Sequence, residues 1–134
     1  EGTPLIPGVE AVLDWLDATG IPYAVGSNGT TRKMQITLGQ HPSFLRRLDG
    51  RRFSGQELGC PKPDPGLYLH AARALGADPA RCVVVEDSAT GARAARAAGM
   101  RCLGFAAHGD GAALAAEGAE IFRDMADLPV RLGL

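Results

Sequence analysis

Two carboxylates stand side by side in CVVVEDSATG, residues 82–91, where Glu86 and Asp87 follow three valines. No polar residue alternates with Val83, Val84 and Val85, so they predict a strand buried on both faces. Adjacent like charges at the exit of such a strand repel unless something positive lies close. An oxygen pair of this kind suits a small hard cation such as Mg²⁺. A plainer role fits the same residues: Asp87 or Ser88 caps the next helix and Glu86 is solvated at the rim.

Two other loops carry complementary chemistry. In VGSNGT, residues 25–30, Ser27 offers a hydroxyl, and the amides of Asn28 and Gly29 are expected to point above the strand end. An anion there would gain hydrogen bonds and helix-dipole attraction, although Ser-Asn-Gly is also ordinary turn chemistry. In CPKPDPGLY, residues 60–68, Lys62 lies between two prolines that narrow its backbone freedom. Its ammonium is a point charge for a phosphate oxygen or a carboxylate, or else a solvated surface lysine. A hydroxyl with amides, a fixed cation and paired carboxylates together suit a phosphoryl group bridged to a metal.

The rest of the chain must bring these groups together. Apolar runs of strand length alternate with segments of helical period. Helices are predicted from Pro7 to Gly20, Thr30 to Leu38 closed by Gly39, around Phe44 to Leu48, from Asp64 (N-cap) to Gly76, Ala89 to Ala98, and Gly111 to Glu117. Strands are predicted at Ile21–Ser27, Cys82–Val85, Arg101–Phe105 and Ala119–Phe122. Repeated strand-then-helix units imply α/β architecture, a parallel sheet with helices on both faces. Ligands of such sheets bind beyond the carboxyl ends of the strands, where all three loops would open.

Bulk properties exclude several classes. With 134 residues, 46% hydrophobic content and a net charge of −1, the chain is one domain's worth of sequence with a sizeable core and no phosphate-neutralising excess of base. No apolar run approaches spanning length, so neither nucleic acid nor a membrane is an expected partner. Cys60, Cys82 and Cys102 are an odd number without metal spacing, which fits free thiols in a reducing, cytoplasmic setting.

In order, SNG, KPDPGLYLHAA and VVVEDSATGARAARAAGM resemble the haloacid-dehalogenase-like phosphohydrolases. The likeness runs from about Pro4 to Pro129. It is strongest toward the sugar-phosphate phosphatase and β-phosphoglucomutase branch, including bacterial 6-phosphogluconate phosphatases. The resemblance implies a doubly wound, Rossmann-like parallel sheet in three αβα layers. It also implies that Ser27 and the amide of Asn28 hold a transferring phosphoryl group and that Lys62 binds that phosphate and a nucleophilic aspartate. Glu86 and Asp87 would hold Mg²⁺, and a small phosphorylated metabolite would be hydrolysed through an aspartyl-phosphate.

One departure is large. The family's nucleophile and acid/base lie in an Asp-x-Asp motif after the first strand, ahead of a helical cap, and this sequence contains no Asp-x-Asp. Residues 1–134 are therefore expected to be the C-terminal part of such a core, lacking its first strand, nucleophile and cap. That strand lies, in the family, between those ending in Ser27 and Glu86, so these two should be left unpaired along facing edges or rearrange. Catalytic inactivity, marginal stability and weak Mg²⁺ binding of the chain alone are expected. Competing readings are a phosphomutase on the same scaffold, or a degenerate, non-catalytic module that binds phosphate or a partner. Trp15 and Tyr68 are expected in helix–sheet packing, His70 and His108 mostly exposed, and Arg32 and Lys33 near enough to the Ser27 loop to add positive potential.

Overall fold

The computed structural model describes residues 8–30, 32, 34, 40–107 and 109–133. Helix α1 (Val9–Thr19) ends where Gly20 adopts a left-handed conformation that a side chain would disfavour, as the Gly at its end predicts. Strand β1 (Val25–Ser27) follows; Ile21–Ala24, predicted as part of it, lie outside the ladder. The helix expected over 30–38 falls largely on residues outside those described, although Arg32 and Met34 are helical. Next come α2 (Pro42–Arg47), β2 (Arg52–Ser54), α3 (Gly55–Leu58) and α4 (Gly66–Ala74). The remaining elements are β3 (Val83–Glu86), α5 (Ala89–Ala97), β4 (Arg101–Phe105), α6 (Ala112–Ala116), β5 (Glu120–Phe122) and α7 (Leu128–Arg131).

The strands form two parallel sheets rather than one. In the first, β1 pairs with β2, Ser27 opposite Ser54; in the second, β4 lies between β3 and β5, with Glu86 opposite Gly104 and Phe105 opposite Phe122. Among the described residues no strand lies between β1 and β3. Gly26 and Val85 instead border a shared cavity of about 310 Å³. This is the arrangement expected if a strand between them were lacking. It also corrects the expectation that Val83–Val85 is buried on both faces: Val85 is 43% exposed, because the cavity, not a neighbouring element, covers it.

The larger sheet has a core on each face, which makes the architecture α/β and three-layered. Alternation along β4 sends Cys102 to one side and Leu103 and Phe105 to the other. On the first side Val84 and Cys102 pack against Tyr68, Ala92, Ala95 and Leu114 from α4, α5 and α6. Ala92, Ala94 and Ala95 are fully buried, so the alanine-rich sequence serves close helix–sheet approach. On the second side Val12 of α1 meets Phe122, Met125 and Leu128. The sequence offered only a tail beyond Phe122. Its Asp124 side chain accepts from the Ala126 amide at 3.0 Å and opens a helical turn that closes this face.

Candidate functional site

Lys62, Glu86 and Asp87 lie at the carboxyl end of β3, around the cavity that separates it from β1. Each is positioned by local chemistry. Lys62 sits between Pro61 and a cis bond to Pro63. Its main chain is gripped by the side chain of Asn28: the Lys62 amide donates to Asn28 Oδ1 at 2.7 Å, and Asn28 Nδ2 donates to the Lys62 carbonyl at 3.2 Å. The loop can come this close because Gly55 lacks a Cβ, which would stand 2.8 Å from Pro61 Cα. Asn28 thus joins the Ser27 loop to the Lys62 loop through its side chain, a contact the sequence reading, which considered only its amide, missed.

The Lys62 ammonium lies 2.5 Å from Glu86 Oε2, with the two side chains 13% and 8% exposed. The hydroxyl of Tyr68 donates to the same oxygen. The other oxygen, Oε1, accepts from the amide of Asp87 at 3.2 Å and from the amide and hydroxyl of Ser88 at 3.4 and 3.2 Å. Burial by itself would raise the Glu86 pKa. Hydrogen bonds from Lys62 and Tyr68, the Lys62 charge and the Ser88 amide outweigh it and hold the carboxyl below its ordinary value. Burial first, and then the Glu86 charge, push the Tyr68 phenol upward, so it remains a donor.

Helix α5 begins directly beneath this carboxylate. Ser88 caps it, accepting from the Gly91 amide at 3.1 Å, so the capping role weighed for Ser88 is real. A Cβ at Gly91 would overlap the Glu86 carboxyl group, and only a glycine in the first turn lets Glu86 fold back over the helix end. The sequence reading took no notice of this position. A glycine inside an otherwise alanine-rich helix was the available signal.

Lys62 supplies the positive charge beside the Glu86–Asp87 doublet. Both Glu86 oxygens accept hydrogen bonds from protein donors in this arrangement. Asp87 is exposed and borders both the cavity at β1 and a larger one of about 790 Å³ toward Asp110 and Leu114. Among the described residues no three His, Cys, Asp or Glu side chains cluster closely enough to hold a metal.

Ser27 ends β1, between Gly26 at the cavity and Asn28 on Lys62. Its Oγ accepts from the Gly29 amide at 3.0 Å. That corrects the expectation that the Gly29 amide faces outward: it closes a turn onto Ser27, while the hydroxyl proton can still be donated. Arg32 is exposed; Lys33 and His108 lie outside the described residues. His70 is half-buried rather than exposed, its ring edge-on to Phe53 at 5.1 Å. Tyr68 is buried, as its helix–sheet packing predicts, but its hydroxyl belongs to the site. The requirement that a buried phenol find a partner was the signal available for that.

Comparison with known proteins gives this geometry a context. The haloacid dehalogenase-like hydrolase family matches over residues 1–99. The CBBY-like protein of Arabidopsis thaliana is 40% identical over 100 residues, which cover 75% of this chain and 31% of that protein. The 6-phosphogluconate phosphatase of Escherichia coli is 35% identical over 102 residues, covering 76% and 46%. A crystal structure of a HAD family hydrolase from Deinococcus radiodurans, with bound phosphate and sodium, superposes with a TM-score of 0.85 at 34% identity, over 96% of this chain and 58% of that one. The chain thus spans less than half the length of these two sequence relatives.

Proposed function

The chain belongs to the haloacid dehalogenase-like hydrolases, and we propose that the protein containing it is a Mg²⁺-dependent phosphatase acting on a small phosphorylated metabolite such as a sugar phosphate. The observation that carries this reading is that Lys62, Glu86 and Asp87 border one cavity with Gly26, while Asn28 of the adjoining Ser27 loop holds the Lys62 main chain. Relatives that include 6-phosphogluconate phosphatase, hexitol phosphatase A and phosphoglycolate phosphatase support the phosphate-ester class.

In this reading Lys62 neutralises charge on the phosphoryl oxygens while Glu86 keeps its ammonium in place. Electrostatic stabilisation of that kind is the main demand of phosphoryl transfer. Ser27 donates its hydroxyl proton to the phosphoryl group, and the Asn28 amide is a second donor. Asp87 would hold the Mg²⁺, which supplies further charge neutralisation when bound. The nucleophilic aspartate comes from outside this chain, together with the strand that carries it between β1 and β3. A phosphomutase would use the same residues, and only the substrate side of the site would differ.

The test is phosphate release from a panel of sugar phosphates by the protein that contains this chain, with and without Mg²⁺. Lys62→Ala and Asp87→Asn should each lower turnover by about 100-fold or more, in line with losses of single electrostatic stabilisers. Residues 1–134 alone should release none. Absence of hydrolysis with every phosphate ester would overturn the reading, and turnover by the isolated chain would overturn the external nucleophile.

A further inference from the structure

We infer that Tyr68 is a positioning residue for Lys62, holding the ammonium through Glu86 on one side and through its own ring face on the other. The hydroxyl and Lys62 Nζ converge on the same Glu86 oxygen, and Nζ lies 5.3 Å from the centroid of the Tyr68 ring. A lysine side chain has four rotatable methylenes and is ordinarily among the most mobile in a protein. Here its main chain is fixed by Asn28, and its charged end meets an anion and an aromatic face at once. Cation–π attraction strengthens as both partners leave water, and Tyr68 is 8% exposed.

The support extends behind Tyr68. Its neighbour Leu67 is fully buried and packs where a Cβ on Gly26 would come within 3.2 Å. The helix that carries Tyr68 is thereby set against β1, the strand that leads into the Ser27 loop. On the far side, Gly91 leaves room for Glu86 to reach the phenol. Lys62 and Tyr68 are six residues apart on one loop and helix, whereas Glu86 arrives from β3. The phenol therefore ties the smaller sheet's helix to the larger sheet at the point where the lysine must be held.

A plain packing role is the alternative, since Tyr68 also touches the core that contains Ala72, Val84 and Ala92. A packing role tolerates loss of the hydroxyl; a positioning role does not. The consequence for phosphate binding rests on the phosphatase reading, while the restraint of Lys62 does not. The experiment compares Tyr68→Phe and Tyr68→Leu in the protein that contains this chain. It follows proton exchange of the Lys62 ammonium by ¹⁵N NMR, binding of inorganic phosphate by calorimetry, and thermal unfolding.

With the fold retained, Tyr68→Phe should speed ammonium exchange and weaken phosphate binding, each on the order of tenfold, as expected for one hydrogen bond to a charged group. Tyr68→Leu, which also removes the ring, should do more to both. Should the leucine variant fail to fold, Tyr68→Phe decides alone. Wild-type ammonium exchange in Tyr68→Phe overturns the inference. Faster exchange with unchanged phosphate binding upholds it and refutes Lys62 as the phosphate ligand.

Discussion

Lys62 and Glu86, 24 residues apart, form an ion pair of 2.5 Å in which both side chains are largely withdrawn from water. Such a pair differs in kind from a surface salt bridge. Its desolvation cost is offset only while both charges and their hydrogen bonds are present, and removal of one partner strands the other. Lys62→Met should therefore destabilise the chain by about 3 kcal/mol, measured by urea unfolding. The double variant Lys62→Met with Glu86→Gln should lose less than the sum of the single variants. Strict additivity would show that the two charges do not sense each other.

Gly91→Ala should invert the usual preference of a helix. Alanine is favoured over glycine in a helix by about 1 kcal/mol, yet here the added methyl occupies the space of the Glu86 carboxyl. Loss of stability by about 2 kcal/mol or more is expected, as for overpacking at a rigid site. A stabilised Gly91→Ala variant would mean that Glu86 does not lie over the helix end.

Glu117 makes one contribution to the pH dependence, beside Glu86 and Glu120, whose carboxyls are likewise held low. Arg93 donates to it through Nε and Nη2, and Arg96 adds a contact at 3.1 Å, tying α5 to the end of α6. The Arg93 hydrogen bond, opposed by slight burial and aided by both arginine charges, holds the Glu117 carboxyl below its ordinary value of 4.5. A carboxyl depressed in the folded state stabilises above the unfolded value and ceases to do so as pH falls through the folded one. The thermal midpoint should drop as pH falls below about 4.5, less steeply in Glu117→Gln and less steeply at high salt. Identical acid limbs for the two proteins would exclude this contribution.

Cys102 should be the least reactive thiol measured. Burial first, then the charges of Glu86 and Glu120, push its pKa up to about 11, and the thiolate is the reactive form. With a disulfide reagent at pH 8, Cys102 should react only as fast as the chain opens, whereas Cys60, in a loop and half-buried, reacts sooner. Because the folded state favours the protonated thiol, the contribution of Cys102 to stability is full below pH 9 and is lost as pH rises toward 11. Prompt modification of Cys102 in the native chain would contradict its burial.

Much of the architecture was legible in the residues. Arg101–Phe105 is a strand with the bounds its apolar run predicts, and Gly20, Gly76 and Gly99 close helices where their spacing placed them. Short elements were not legible. Arg52–Ser54 is a strand because it pairs with β1, not because three residues containing an arginine declare one. Gly55–Leu58 is a helix because Ser54 caps it, accepting from the Glu57 amide at 3.2 Å. Asp64, expected as the N-cap, accepts from the Gly66 amide at 2.7 Å, and the helix starts just beyond Pro65.

What the sequence determined by itself was the set of chemical groups: a hydroxyl loop, a lysine between prolines and a carboxylate doublet, each at an end that a parallel sheet turns toward its ligands. Local pattern suffices for this, because strand and cap signals act within a few residues. Only the tertiary structure decided how the groups divide their work. Glu86 is bonded to Lys62 and Tyr68, while Asp87 stands exposed at the cavity that it borders with Glu86 and Lys62. That choice depends on Gly91 leaving room and on a phenol arriving from another helix. Glu86 is the last residue of β3 and Asp87 lies just beyond it, but a charge finds its partner through space, and the partner of Glu86 is 24 residues away.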